Sequence, residues 1–296
     1  MSATTEPPHG RIDRADGDDP DGDRTRASST GTVLSAADWL DDHFEACRDA
    51  YEAMAAAAGF ETGSRVIDLG SGTGIFTPLL RRAVGTRGQV AAVDIDLENL
   101  RHVRRHDASA QALVGSALAI PVRDGAFDGL WAANLTQSLD DAALEAALRE
   151  MMRVVRPGGL VAIKDVDMAA FRFSPASPFL GPHLAEACAT ATPVAAESVG
   201  SVRGRDLRRW LHRAGLVDTS QRTFVIEYPG ALEGSALRLW GSWLPYLAAL
   251  AEAKGVPVAD LETWRQVASP QDARAFVSRP DFHGSEVQVV ALGRVP

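Results

Sequence analysis

The run Val66-Ile67-Asp68-Leu69-Gly70-Ser71-Gly72-Thr73-Gly74 constrains this chain more than any other segment. An apolar stretch ends in a glycine turn, and helical spacing begins just after it. Such a unit presents free backbone N–H groups at the start of a helix, where an anionic ligand group is favoured. Glycine allows positive φ and lets a ligand come close to the backbone. A second apolar run, Gln89 to Val93, ends in Asp94. A carboxylate there can accept hydrogen bonds from both ribose hydroxyls, as in nucleotide-binding α/β folds. The dinucleotide fingerprint G-x-G-x-x-G needs a third glycine where this chain has Ile75, which opposes a nicotinamide oxidoreductase. No Walker lysine follows the turn, which opposes a phosphate-cradling loop.

The glycine turn opens an alternation of strands and helices. Strands are expected at 65–69, 89–94, 112–114, 127–133 and 160–163, with helices at 75–84, 97–106 and 141–155. This rhythm predicts a doubly wound α/β domain with a mostly parallel sheet and helices on both faces. Pro157-Gly158-Gly159 turns the chain into the fifth strand. Residues 167–202 carry Pro175, Pro178, Pro182 and Pro193 and read as irregular, with at most one short helix. A helix at 206–214, a strand at 223–228 and a closing strand at 286–292 follow. Between those last two strands, 231–283 reads as a mainly helical cap rich in tryptophan.

Ahead of the alternation, Trp39, Leu40, Phe44, Cys47, Tyr51 and Met54 recur at helical steps, giving one apolar face to a helical region over 35–58 that Ser35 would cap. Residues 1–32 contain Asp16-Gly17-Asp18-Asp19-Pro20-Asp21-Gly22-Asp23 and few apolar side chains. They are expected to form a disordered acidic tail, leaving 33–296 as one domain.

Apolar residues make up 46% of the 296, enough for a sizeable core. No apolar run approaches the ~20 residues of a membrane span, and no basic start followed by an apolar stretch marks a secretory signal. The two cysteines, Cys47 and Cys188, support neither a disulfide framework nor a cysteine zinc site, so a reducing cytoplasm is expected. A formal charge of −9 opposes a general nucleic-acid binder.

Four blocks in order resemble the class I S-adenosylmethionine-dependent methyltransferases, in their small-molecule branch. They are the glycine motif at 66–74, Val93-Asp94-Ile95-Asp96, the segment Ala119-Ile120-Pro121-Val122-Arg123-Asp124-Gly125-Ala126-Phe127-Asp128, and Met152 to Leu160 around Pro157-Gly158-Gly159. The resemblance implies a seven-stranded Rossmann-like sheet with an antiparallel last strand, and S-adenosyl-L-methionine as cofactor. It also implies that Gly70, Ser71 and Gly72 line the methionine part, that Asp94 holds the ribose and that Ile95 packs on adenine. Asp68 orders the loop or meets the cofactor amino group, and Asn134 contacts the methionyl moiety. The family often has an acid, facing the adenine amino group, where this chain has Ser116, beside Ala117. A hydroxyl accepts that hydrogen bond without charge assistance.

Methyl transfer from a sulfonium expels a neutral leaving group, so positioning supplies much of the rate. A base is needed only when the acceptor must lose a proton. Candidates at the carboxyl ends of the strands are Asp165, with Asp167 close by, and Gln137; His183 lies in the proline-rich segment. His102 and His106 have a metal-like spacing, but Arg101, Arg104 and Arg105 surround them, so no metal is expected. Arg203, Arg205, Arg208 and Arg209 read as the solvated side of a helix. The cap carries Leu237, Trp240, Trp243, Leu244, Tyr246, Leu247 and Leu250, then Trp264, Phe276 and Phe282. These either pack the cap down or wall a pocket for a flat, greasy ligand.

The expected function is methyl transfer to a small hydrophobic or aromatic molecule, with the acceptor atom (oxygen, nitrogen or carbon) open and natural-product biosynthesis as its setting. The alternative keeps fold and cofactor but catalyses cyclisation, decarboxylation or hydroxylation, or only binds a metabolite. The resemblance also allows a homodimer.

Overall fold

The computed structural model describes residues 37–107, 110–190 and 202–296. The acidic tail at 1–32, Ser35 and Pro193 lie outside the described residues. The chain order is α1 (Ala37–Ala46), α2 (Arg48–Ala57), β1 (Arg65–Leu69), α3 (Thr77–Val84), β2 (Gln89–Asp94), α4 (Leu97–His106), β3 (Gln111–Val114), β4 (Phe127–Ala133), α5 (Asp141–Val154), β5 (Val155–Val166), β6 (Arg172–Ser174), α6 (Leu180–Thr190), α7 (Leu207–Arg213), β7 (Val217–Pro229), α8 (Gly234–Lys254), α9 (Val258–Arg265), α10 (Pro270–Val277) and β8 (His283–Arg294).

One sheet of eight strands runs β3-β2-β1-β4-β5-β8, and β8 then pairs with both β6 and β7. Strands β1 to β5 pair in parallel. Strand β8 lies antiparallel to β5, β6 and β7. The expected mostly parallel sheet with an antiparallel last strand is therefore present, with the three-residue β6 added along one edge of β8.

Each strand sorts its side chains between two apolar layers, as a period of two requires. Val66 and Trp131 face one core with Tyr51, Met54, Leu80, Phe171, Trp240 and Trp264. Ile67, Leu130 and Ala132 face the other with Leu144, Leu148, Met151, Leu207 and Leu211. Helix starts follow their sequence signals. Asp96 accepts from the Glu98 N–H at the start of α4 at 2.8 Å, and Asp140 accepts from the Ala143 N–H at the start of α5 at 2.8 Å. Gly255, at φ 75°, stops α8.

The helical region expected over 35–58 holds two helices, α1 and α2, which meet at Cys47, so that Trp39 packs against α8 and Tyr51 against Phe76. Two expectations need correction. The described part of the proline-rich segment, 167–190, is more ordered than its composition suggests. It holds a short 3-10 turn at Met168–Ala170, strand β6 and the 11-residue α6, because Phe171 and Phe173 bury their rings against Trp243 and Trp264. Arg203 is buried rather than solvated, and it donates to the carbonyl of Thr136 at 2.6 Å and to Asp141 at 2.6 Å. Among the described residues no helix is long and apolar enough to cross a membrane.

Candidate active site

A cavity of about 620 Å³ opens at the carboxyl ends of β1, β2, β4 and β5, where Leu69, Asp94, Ala133 and Val166 reach its wall. Ligands bind in this position in doubly wound sheets. Helices α1, α6 and α8 close the other side.

On the sheet side the wall is built from backbone. Gly70, Gly72 and Gly74 hold φ of 67°, 53° and 88°, a region that side chains other than glycine rarely enter. At Gly74 a Cβ would also lie 2.8 Å from Val103 Cγ2, which keeps α4 tight against the turn. The Gly70 and Ser71 N–H groups both donate to the carbonyl of Val93, at 2.7 and 3.1 Å. Asp94 completes the link, since its carboxylate accepts from the backbone N–H of Gly72 and of Asp96, each at 2.8 Å. Turn and acid therefore form one rigid piece. Ile95 stands at the rim, 69% exposed. Ser116 and Ala117 line the same end, and the Ser116 Oγ accepts from the Leu118 N–H at 3.1 Å.

Asp68 lies beneath the turn, buried, accepting from the Thr77 hydroxyl at 2.6 Å. Burial, aided by the nearby charge of Asp94, pushes its carboxyl up to about 7 against the Thr77 hydrogen bond. The hydroxyls of Ser71 and Thr73 are buried in the cavity wall with no hydrogen-bond partner among the described residues. Buried polar atoms without partners are costly and point to a missing ligand.

Asn134 follows β4 at φ 53°, a strained conformation that asparagine tolerates better than most residues. Its Oδ1 accepts from Lys164 Nζ at 2.7 Å. Gln137 is also in the wall, with its side-chain amide on the Asn134 carbonyl at 3.1 Å. Asp165 is elsewhere. It is fully buried and bonded to the Thr136 hydroxyl at 2.5 Å and to the N–H groups of Gln137 and Val166 at 3.1 and 2.8 Å. It anchors the 136–138 turn from behind and is absent from the cavity wall. His183 likewise points away, bonded to Asp260 at 2.6 Å and stacked on Phe179. Neither Asp165 nor His183 reaches the cavity wall. Asp167 holds Arg205 at 2.8 Å.

The side opposite the glycine turn is aromatic and aliphatic. Trp243, Tyr246, Leu247, Leu250 and Lys254 form one stripe along α8, and Trp39, Leu40 and His43 come from α1. The two readings of the tryptophans both hold. Trp240 and Trp264 are core residues, while Trp39 and Trp243 touch the cavity, with rings 6.1 Å apart.

At the floor lies a buried polar network that the sequence reading did not identify. His43 Nε2 meets Glu286 Oε1 at 2.9 Å. The same carboxylate accepts from the Tyr228 hydroxyl at 2.6 Å and the Gln288 amide at 2.8 Å. His43 Nδ1 lies 3.3 Å from the Tyr51 hydroxyl, which also lies 3.5 Å from Lys164 Nζ. Burial opposes the charge of Glu286, but His43, Tyr228 and Lys164 together hold its carboxyl down to about 2. Burial pulls Lys164 down to about 8, against the attraction of Glu286 and Asp165. Cys47 donates its thiol to the His43 carbonyl at 2.8 Å, and burial pushes that thiol up. The thiol, imidazole and carboxylate come within 4.8 Å of one another, yet they are spent on mutual and backbone hydrogen bonds. One signal for this network was available: Lys164, Glu286 and Gln288 interrupt otherwise apolar strands, and a polar residue in a buried strand needs a partner.

Residues 66–159 match the family model described as a methyltransferase domain. A demethylmenaquinone methyltransferase of Staphylococcus aureus is 26% identical over 180 residues, covering 56% of this chain and 73% of the relative. Among solved structures, the YcgJ protein of Bacillus subtilis superposes with a TM-score of 0.52 at 14% identity, covering 84% of this chain and 99% of that one. An S-adenosylmethionine-dependent methyltransferase of Thermotoga maritima gives 0.50 at 17% identity, covering 87% and 94%. Those two likenesses show the fold, and the glycine turn with its acid stands inside the matched domain. Residues 66–159 are thus a methyltransferase domain, and the chain resembles the class I S-adenosylmethionine-dependent methyltransferases in fold.

Proposed function

We propose that this methyltransferase acts on a small aromatic or otherwise hydrophobic molecule, held between the glycine turn and the α1–α8 wall. The observation that carries the reading is that wall: Trp39, Trp243, Tyr246, Leu247 and Leu250 face the same cavity as Gly70–Gly72. Apolar and aromatic surface with a few convergent polar groups suits such a ligand. The relative from Staphylococcus aureus, whose name gives a quinone as acceptor, supports the same class.

The sheet side suits S-adenosyl-L-methionine. Ser71 and Thr73 offer unpaired buried hydroxyls to its amino-acid part, beside the close-approaching backbone of Gly70 and Gly72. Asp68 is placed to receive its ammonium, and Asn134 lies at the same end. Asp94 would exchange part of its backbone hydrogen bonding for the ribose, Ile95 would cover one face of adenine, and Ser116 and Ala117 would line its edge. When bound, the cofactor supplies a methyl group on a sulfonium. This chain's part is to orient it, exclude water and place the acceptor in line. Residues 33–296 are read as one domain with 231–283 as its cap. The buried free thiols of Cys47 and Cys188 fit a reducing, cytoplasmic setting.

The test is turnover. Incubation with S-adenosylmethionine and a panel of aromatic acceptors should release S-adenosylhomocysteine. Leu250→Glu should raise the acceptor KM at least tenfold, with cofactor affinity unchanged by calorimetry. Equal turnover of polar and aromatic acceptors would sink the reading.

A further inference from the structure

We infer that His43, oriented by Glu286 and reached through the Tyr51 hydroxyl, takes the acceptor's proton, and that the acceptor is methylated on a hydroxyl oxygen, as a phenol or enol. This rests on the aromatic or hydrophobic reading above and narrows it to one acceptor atom.

The geometry fixes the proton positions. Glu286 receives Tyr228 and Gln288 as well as His43, at 2.6, 2.8 and 2.9 Å. A carboxylate in such surroundings only accepts, so His43 must carry its ring proton on Nε2. With Nε2 as the donor, the neutral form of the ring, which the step requires, has its lone pair on Nδ1. The group on that lone pair is the Tyr51 hydroxyl at 3.3 Å. Lys164 donates toward the same oxygen from 3.5 Å and to Asn134 at 2.7 Å. His43, Tyr51, Asn134 and Glu286 all reach the cavity wall. A glutamate, an imidazole and a hydroxyl in line form the arrangement that serves acyl-transfer triads. Here the terminal hydroxyl serves as a relay. Burial pushes the Tyr51 hydroxyl up, so it passes a proton without holding a negative charge.

The step balances. The acceptor O–H proton moves to the Tyr51 oxygen as the Tyr51 proton moves to His43 Nδ1. The acceptor oxygen bonds to the methyl group as the methyl–sulfur bond breaks. The products are an ether, a neutral thioether and an imidazolium beside Glu286, which later returns its proton to water. The other groups packed on His43 support this assignment. Cys47 stays a thiol, Tyr228 is a donor to Glu286, Lys164 supplies positive charge from β5, and the Asp42–Arg238 pair is solvent-exposed.

The test uses the full chain with S-adenosylhomocysteine bound and two probes of similar shape, 4-nitrophenol and 4-nitroanisole. Only the first can lose a proton, and its anion absorbs in the visible. Bound 4-nitrophenol should titrate to its anion at a pH at least one unit lower than in free solution. His43→Gln and Glu286→Gln should abolish that shift and Tyr51→Phe should reduce it. All three should bind 4-nitroanisole within about twofold of the native chain. Glu286→Gln keeps the shape of the site and carries the test if His43→Gln does not fold. Several results would overturn the inference while leaving the aromatic reading standing: nitrophenol bound but neutral, an anion that persists in both variants, or binding of nitroanisole alone. Binding of neither probe removes both.

Discussion

The two walls of the cavity are built in opposite ways. The cofactor side is made of backbone from one stretch of chain, 66–74, tied by Asp94 to the end of the next strand. The opposite floor is made of side chains from α1, α2, β5, β7 and β8, with His43 and Glu286 separated by 243 positions. In the proposed reading the first holds the nucleoside whatever the acceptor, and the second, which can be rewritten one side chain at a time, sets specificity. Fold and cofactor therefore say little about the acceptor.

The contrast can be broken by substitution. The largest effect is expected at Lys164→Met. It removes the buried ammonium that donates to Asn134 and helps hold Glu286 ionised, and should cost about 3–5 kcal/mol of stability in urea unfolding, the cost of leaving a buried charge without its compensation. A loss under about 1 kcal/mol would mean that the floor is solvated and its network slack. Next is Asp94→Ala, which leaves the Gly72 and Asp96 N–H groups unpaired. It should weaken S-adenosylmethionine binding by about 100-fold, or ~3 kcal/mol, the worth of charge-assisted hydrogen bonds. Binding of 4-nitroanisole should barely change. If both ligands are lost together, the two walls are one unit.

Asp68, beneath the glycine turn, gives that wall a pH dependence. Its folded value near 7 lies above the ordinary 3.8, so its contribution to stability is complete below 3.8 and is lost as pH rises through about 7. Asp68→Asn should match the native chain in melting temperature near pH 4. Above pH 7 it should melt higher, being more stable by up to about 4 kcal/mol, while binding the cofactor less tightly. Equal melting at pH 8 would show that Asp68 is already neutralised. The smallest effect is expected at Ser116→Asp, which restores charge assistance at the adenine edge. Calorimetry should show cofactor affinity rising about fivefold, or ~1 kcal/mol.

The same contrast explains what the sequence discloses. The glycine turn, Asp94 and the alternating elements are local patterns, and most of their strands and helices fall within a few residues of expectation, α4 at both ends. Strand β5 starts earlier, at Val155, and takes Pro157-Gly158-Gly159 in as an irregularity of the strand instead of a turn before it. The floor is not local. His43 reads as one polar position on an apolar helix until β8 brings Glu286 beneath it. Asp165 looked accessible because it closes a strand at the ligand end, yet alternation turns its side chain to the far face, onto Thr136. Phe171 and Phe173 showed nothing of β6 by spacing, because that strand exists through its packing on the cap.

Strand β8 has a consequence for the order in which the molecule assembles. It supplies Glu286 and Gln288, and it pairs with β5 on one side and β7 on the other. Contacts of high sequence separation form slowly, since long loops must close first. On the proposed assignment of His43 and Glu286, the proton-accepting floor is therefore complete only once β8 has paired between β5 and β7, whereas the glycine turn and Asp94 need only β1 and β2.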